Sequence, residues 1–204
     1  MIVVQFAFMH ALVFAPFMVL GAVTSDEHLG GAAAWGAILA CEGGGAVVGG
    51  LLVMRRKFAR PLQVATIAAT GHAVVLVALA VRAPLPAICL AAGCGGAGMA
   101  IFGTLWQTTM HEQIDDAVLS RVSAYDYFGS VALFPVGYAL VGPISARIGV
   151  RGTLWLAAGW LVAGNAVVLM VRGVTAVTST SHSRNAVASD EDATALAGQK
   201  GRHD

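Results

Sequence analysis

A chain of 204 residues that is 57% hydrophobic and only 11% charged, with a mean hydropathy of +0.76, is not composed like a soluble domain, in which about 25% of residues carry charge. A formal net charge of +1 excludes the basic or acidic balance that would point to nucleic acid or to a strongly charged partner. The composition is that of an all-α integral membrane protein, whose unit is the apolar span of about 20 residues.

Taken in order, six segments meet that length: residues 2–23, 32–54, 62–81, 87–110, 122–146 and 153–172. Together they predict a six-helix transmembrane bundle over residues 1–172. The first run lacks a basic leader and is longer than the apolar stretch of a signal peptide, so it is read as a retained span. The second ends in GGGAVVGGLLVMRRKFARP, where a charge-free run with Gly45 and Gly49 at GxxxG spacing stops at Arg55, Arg56, Lys57 and Arg60. The short connections TSDEHLGG, RRKFARP, VRAPLP, HEQIDDAVLSR and RIGVRG set successive helices antiparallel. Beyond Arg172 the sequence turns to Ser, Thr, Ala, Asp and Gly without apolar period, which predicts a disordered tail over residues 173–204.

Alternating spans sort the cations. One side receives Arg55, Arg56, Lys57, Arg60, Arg121, Arg172, Arg184, Lys200 and Arg202, and the other Arg82, Arg147 and Arg151, nine against three. The positive-inside rule then predicts a multi-pass protein of the cell membrane with both termini cytoplasmic.

Cys41, Cys89 and Cys94 fall in apolar runs with no CxxC pair and no His/Cys cluster, so they read as small packing residues rather than a disulfide or zinc site. Glycines crowd the fourth span (GAGMAIFG) and the fifth (Gly129, Gly137, Gly142, with Ala146), and Pro16, Pro135 and Pro143 lie within spans. Ordinary close packing accounts for these; so does a set of bends in cavity-lining helices.

Glu42 is the most informative residue, because it falls near the middle of the second span. A charged side chain at the bilayer centre costs about 2.5–3.5 kcal/mol, so the carboxyl needs a cavity, a partner or a proton. It reads either as a proton-coupling site or as a protonated, hydrogen-bonded packing group. His10 and His72 also lie near the middle of their spans. No GxxxxGK[ST], GxSxG or HExxH occurs, which leaves ATP-driven and common hydrolytic chemistry without support; the chain is not read as an enzyme, and no cofactor or metal is expected.

Three stretches carry a resemblance: GGLLVMRRKFARP, LWQTTMHEQIDDAVLSRVSAYD and PVGYALVGPISARIG. With them the chain resembles the C-terminal half of a major facilitator superfamily transporter, most like the drug-efflux branch. The first stretch lacks the Asp and the second loop Gly of the stronger form of that motif. The resemblance implies two inverted three-helix repeats and a substrate site near the bilayer midplane against a second half. It also implies that the first and fourth helices line the cavity and that the third is peripheral. On that footing His10, Gln5, Trp106 and Gln107, with Thr104 and Thr108, join Glu42 of the second span in the substrate and proton pathway. His72 is then a neutral histidine satisfied within the bundle. Arg55 or Arg56 with Glu112 or Asp115 form a cytoplasmic gate.

The implied function is proton-coupled secondary efflux of a small amphipathic organic compound by half of a twelve-helix transporter. The expected partners are the substrate, protons, the lipid bilayer and a second six-helix half or second copy. Met1 opens directly into apolar sequence, which leads to the expectation of either a truncated reading frame or a half that assembles. The other reading is a membrane protein without turnover, a remnant or accessory bundle.

Overall fold

A computed structural model describes residues 10–56, 58–113, 128 and 133–170. Among the described residues every regular element is helical. A π-helical turn, His10–Phe14, leads into α1 (Ala15–His28), and α2 (Ala32–Met54), α3 (Pro61–Thr70), α4 (His72–Ala80), α5 (Leu85–Gln113) and α6 (Phe134–Met170) follow. Four helical stretches, Ala32–Met54, Pro61–Ala80, Leu85–His111 and Phe134–Met170, are long and apolar enough to cross a membrane. At 23 residues α2 is about 35 Å long, more than the ~30 Å hydrocarbon core.

The exterior is apolar where a soluble bundle would be polar. Val47, Val48, Leu51, Leu52, Leu90, Trp155 and Leu156 are all exposed, and only 17% of the most apolar window of α2 is buried. In water such a surface would aggregate, whereas a bilayer solvates it.

The helix ends follow from local chemistry. Pro61 opens α3, where its missing N–H costs nothing. Between α1 and α2 the chain turns through Gly30 and Gly31, with φ of 101° and 81°, a region that glycine enters freely. The Gly31 amide donates back to the Ser25 carbonyl at 2.8 Å. The expected connection TSDEHLGG is therefore too long: helix continues through His28, and Thr24 and Ser25 are buried. RIGVRG shrinks further, because Gly149 alone leaves helical geometry (φ 77°, ψ 163°) and divides α6 into limbs 134–148 and 150–170. Those limbs hold the described part of the fifth predicted span and nearly all of the sixth. Residues 2–9 of the first span, 122–127 and 129–132 of the fifth, and the expected tail lie outside the described residues.

The elements close into a bundle. α2 lies along α5, α3 and α4 pack on the other side of α5, and α6 packs on α4, α1 and the π-helical turn. The main core gathers Phe17, Ile38, Leu76, Leu79, Ile88, Leu154 and Leu161, and a smaller cluster holds Val53, Ala65, Ala69, Phe102 and Leu105. The α2/α5 contact explains the GxxxG spacing: a methyl at Gly45 would strike the Gly93 backbone, and one at Gly49 that of Ala97. Gly137 likewise admits Ala11 of the π-helical turn, whereas Gly103 and Gly142 face open space.

A polar clasp joins α6 to α3. Asn165 Nδ2 donates to Thr70 Oγ1 at 2.9 Å and approaches the Thr66 carbonyl at 3.4 Å, while the Thr70 hydroxyl donates to that carbonyl at 3.0 Å. Interhelical hydrogen bonds of this kind contribute about 0.6–2 kcal/mol in membranes. Asn165→Leu should lower the unfolding free energy in detergent by about that amount; an unchanged denaturant midpoint would show the clasp to be idle.

Candidate functional site

Glu42 is the eleventh of the 23 residues of α2, and His72 the twelfth of the 20 in the stretch Pro61–Ala80. Both stand near the middle of a stretch long enough to cross a membrane, and the fold brings them together. His72 Nδ1 lies 3.9 Å from Glu42 Oε1. His72 is only 1% exposed and the Glu42 side chain 16% exposed.

The histidine is enclosed by rings. Phe14, from the π-helical turn, stacks on its imidazole at a centroid distance of 5.0 Å, and Phe17 of α1 meets it edge-on, also at 5.0 Å. Phe17 in turn packs against Trp35 of α2. Pro16 bears on this local geometry: it has no N–H to give, and the wide turn just before it carries Phe14 toward the bundle interior. On α5, Gly95 leaves room for the imidazole, since a methyl there would stand 3.1 Å from Nδ1, and Gly96 admits the Glu42 backbone.

Neither imidazole nitrogen has a hydrogen-bond partner among the described residues. At 3.9 Å the carboxyl is too far for one, yet near enough that a change of about 1 Å would make it. A buried polar group is normally paired, so two unpartnered nitrogens, one of them, Nδ1, facing a carboxyl, mark a site that is incomplete in this conformation. The expectation for His72 is met in part: it is buried within the bundle, but neither nitrogen is satisfied among the described residues, and its nearest ionisable neighbour is Glu42. Helix number within a repeat says which helices flank a cavity, not how far each is rotated about its own axis.

Among the described residues, the other predicted side chains do not converge on this pair. Trp106 is half-buried and stacks on Phe102 beside the smaller cluster, and Gln107 and Thr108 are exposed near the end of α5. Gln107 lies eleven residues beyond Gly96, three helical turns or about 16 Å along the axis. Thr104 and Thr108 donate to the carbonyls of Ala100 and Thr104, each at 2.9 Å, which satisfies their hydroxyls within the helix. Arg55 and Arg56 are exposed after the end of α2. Gln5 and Asp115, together with the side chains of His10 and Glu112, lie outside the described residues.

One feature went unread in the sequence. Cys41, Cys89 and Cys94, which read separately as packing residues, line a single apolar groove of about 520 Å³ on the outer side of the α2/α5 seam. Their spacing along each helix held the signal, but the seam that joins the helices did not. Among the described residues no cluster of His, Cys, Asp or Glu has the makings of a metal site.

No family model, no curated protein and no solved structure matches the chain. The functional reading therefore stands on the Glu42/His72 geometry and the apolar exterior.

Proposed function

We propose that the chain is a membrane transporter component in which Glu42 exchanges protons during turnover, coupling a proton gradient to efflux of a small amphipathic organic compound. The observation that carries this reading is an ionisable pair at the centre of two apolar helices. A carboxyl there is costly unless it is partnered or neutral, and a group whose cost depends on its proton is suited to coupling. The resemblance to the C-terminal half of a major facilitator adds the expectation of a second half, supplied by another subunit or a second copy, and of Arg55, Arg56, Glu112 and Asp115 as a cytoplasmic gate. The compact interior around His72 agrees with this, because a substrate path would then run between halves rather than through one bundle.

Vesicles containing the purified protein with whatever partner accompanies it, loaded with ethidium as an amphipathic cation and pyranine as a pH reporter, test the function. An imposed pH gradient should move dye faster than in protein-free vesicles, with matching proton flux. If neither dye nor protons move for any of a panel of amphipathic cations and neutral compounds, a bundle without turnover is the better description.

Orientation is tested separately. In a background with the three native cysteines replaced by alanine, a cysteine at Ala59 should be shielded from an impermeant thiol reagent in intact cells, and one at Glu27 should label. Both native positions are exposed, and Glu27 avoids the strain that a cysteine would meet at Gly30. Labelling at position 59 from outside would reverse the topology.

A further inference from the structure

We infer that His72 is the proton partner of Glu42, the two side chains holding one proton between them where they approach from α2 and α4. This rests on the reading of Glu42 as a proton-exchanging group, and it assigns the second member of the site to the third predicted span rather than to His10 in the first.

The geometry carries the assignment. Nδ1 faces Oε1 at 3.9 Å, and neither imidazole nitrogen has another acceptor or donor among the described residues. The ring is held by Phe14 and Phe17, so it cannot turn far, whereas the Glu42 carboxyl ends a flexible side chain that is 16% exposed. Rotation of the Glu42 side chain inward closes the gap. The step is balanced: the Oε1–H bond breaks, its electron pair stays on the carboxylate, and the lone pair of Nδ1 takes the proton while Nε2 keeps its own. The products are a carboxylate and an imidazolium in contact, with no change in total charge. Rotation outward parts the two. A fixed imidazole and a mobile carboxyl form a two-position proton carrier.

The surroundings leave few competing groups. Cys41 is next to Glu42 on α2, and Cys89 and Cys94 lie on the facing stretch of α5. α1 has Asp26, Glu27 and His28 at its far end, where Glu27 and His28 approach one another at 3.6 Å. Arg82 follows the end of α4, His111 and Glu112 lie at the last turn of α5, and α6 holds Tyr138 together with Arg147 and Arg151 beside the Gly149 turn. His10 opens the π-helical turn, one helical turn before Phe14.

The test reads protons directly and needs no transport. Infrared difference spectra of the full protein in lipid, taken across pH, should show a protonated-carboxyl band that is lost in Glu42→Gln. In His72→Phe, which keeps an aromatic ring between Phe14 and Phe17, the proton concentration at which that band half-converts should change about tenfold or more. Should His72→Phe fail to fold, nitrogen-15 spectra of histidine-labelled protein give the reciprocal measurement, since the His72 ring signals should change in Glu42→Gln and not in His10→Gln. A Glu42 band unmoved by His72→Phe, or His72 signals unmoved by Glu42→Gln, would overturn the pairing. Absence of dye transport with these spectroscopic shifts present would instead count against the transporter reading and leave the pair standing.

Discussion

Glu42→Gln should reduce proton-driven dye movement to the level of protein-free vesicles while ethidium binding to the protein persists. Glutamine keeps the length and the hydrogen-bonding capacity of the side chain and removes only its titration. A change confined to coupling therefore isolates the proton from the shape. Were Glu42 merely a packing carboxyl, the same substitution would relieve a buried ionisable group in an apolar helix and be neutral or slightly stabilising. His10→Gln is the comparison, for loss of transport there with Glu42→Gln active would move the proton site to the first span. The measurement belongs on the complete assembly, because a half without its partner would be inactive for want of a cavity. Wild-type rates of gradient-driven transport in Glu42→Gln would defeat the proposed coupling.

The sequence located helices well where charge brackets an apolar run. The second predicted span, 32–54, coincides with α2, since glycines precede it and the cluster Arg55, Arg56, Lys57 and Arg60 follows. The GxxxG spacing identified a close-packed face before its partner was known. What was not legible is rotational: which residues of different helices meet depends on the turn of each helix about its axis, and here apolar residues surround each helix on all sides. With lipid outside and apolar side chains inside, the amphipathic stripe that reveals the inner face of a soluble helix is missing. Hence the approach of His72 to Glu42, thirty residues away in sequence, is invisible in the sequence, as is the distance of three turns that separates Gln107 from it. The turns deceived for a different reason. Asp26, Glu27 and His28 are polar enough to suggest a loop, yet polar residues are comfortable in the last turn of a helix that emerges from lipid. The single residue Gly149 breaks the helix where the sequence suggests a six-residue connection.

Gly45→Ala and Gly49→Ala should each destabilise the bundle, and Gly50→Ala should not. A methyl at either of the first two positions would collide with backbone of α5 at Gly93 or Ala97, which cannot swing aside as a side chain can, so α2 and α5 must separate. Overpacking of this kind costs about 1–3 kcal/mol. Alanine returns up to about 1 kcal/mol through its better helix propensity, which is the whole effect expected at Gly50, where nothing stands within 4 Å. Denaturant titration in mild detergent would order the variants, and the pair Gly45→Ala/Gly49→Ala should cost less than the sum, because helices already parted by one methyl accommodate the second. If Gly45→Ala proves as stable as Gly50→Ala, the tight seam does not exist in the membrane. Gly96→Ala carries the consequence into the site. Its methyl would press on the Glu42 carbonyl, pushing α2 outward and drawing Oε1 away from Nδ1 of His72. The reciprocal spectroscopic response of Glu42 and His72 should fade in Gly96→Ala and remain intact in Gly50→Ala. Stability and proton coupling would then share one physical origin: the backbone-to-backbone approach that a stripe of glycines permits between α2 and α5.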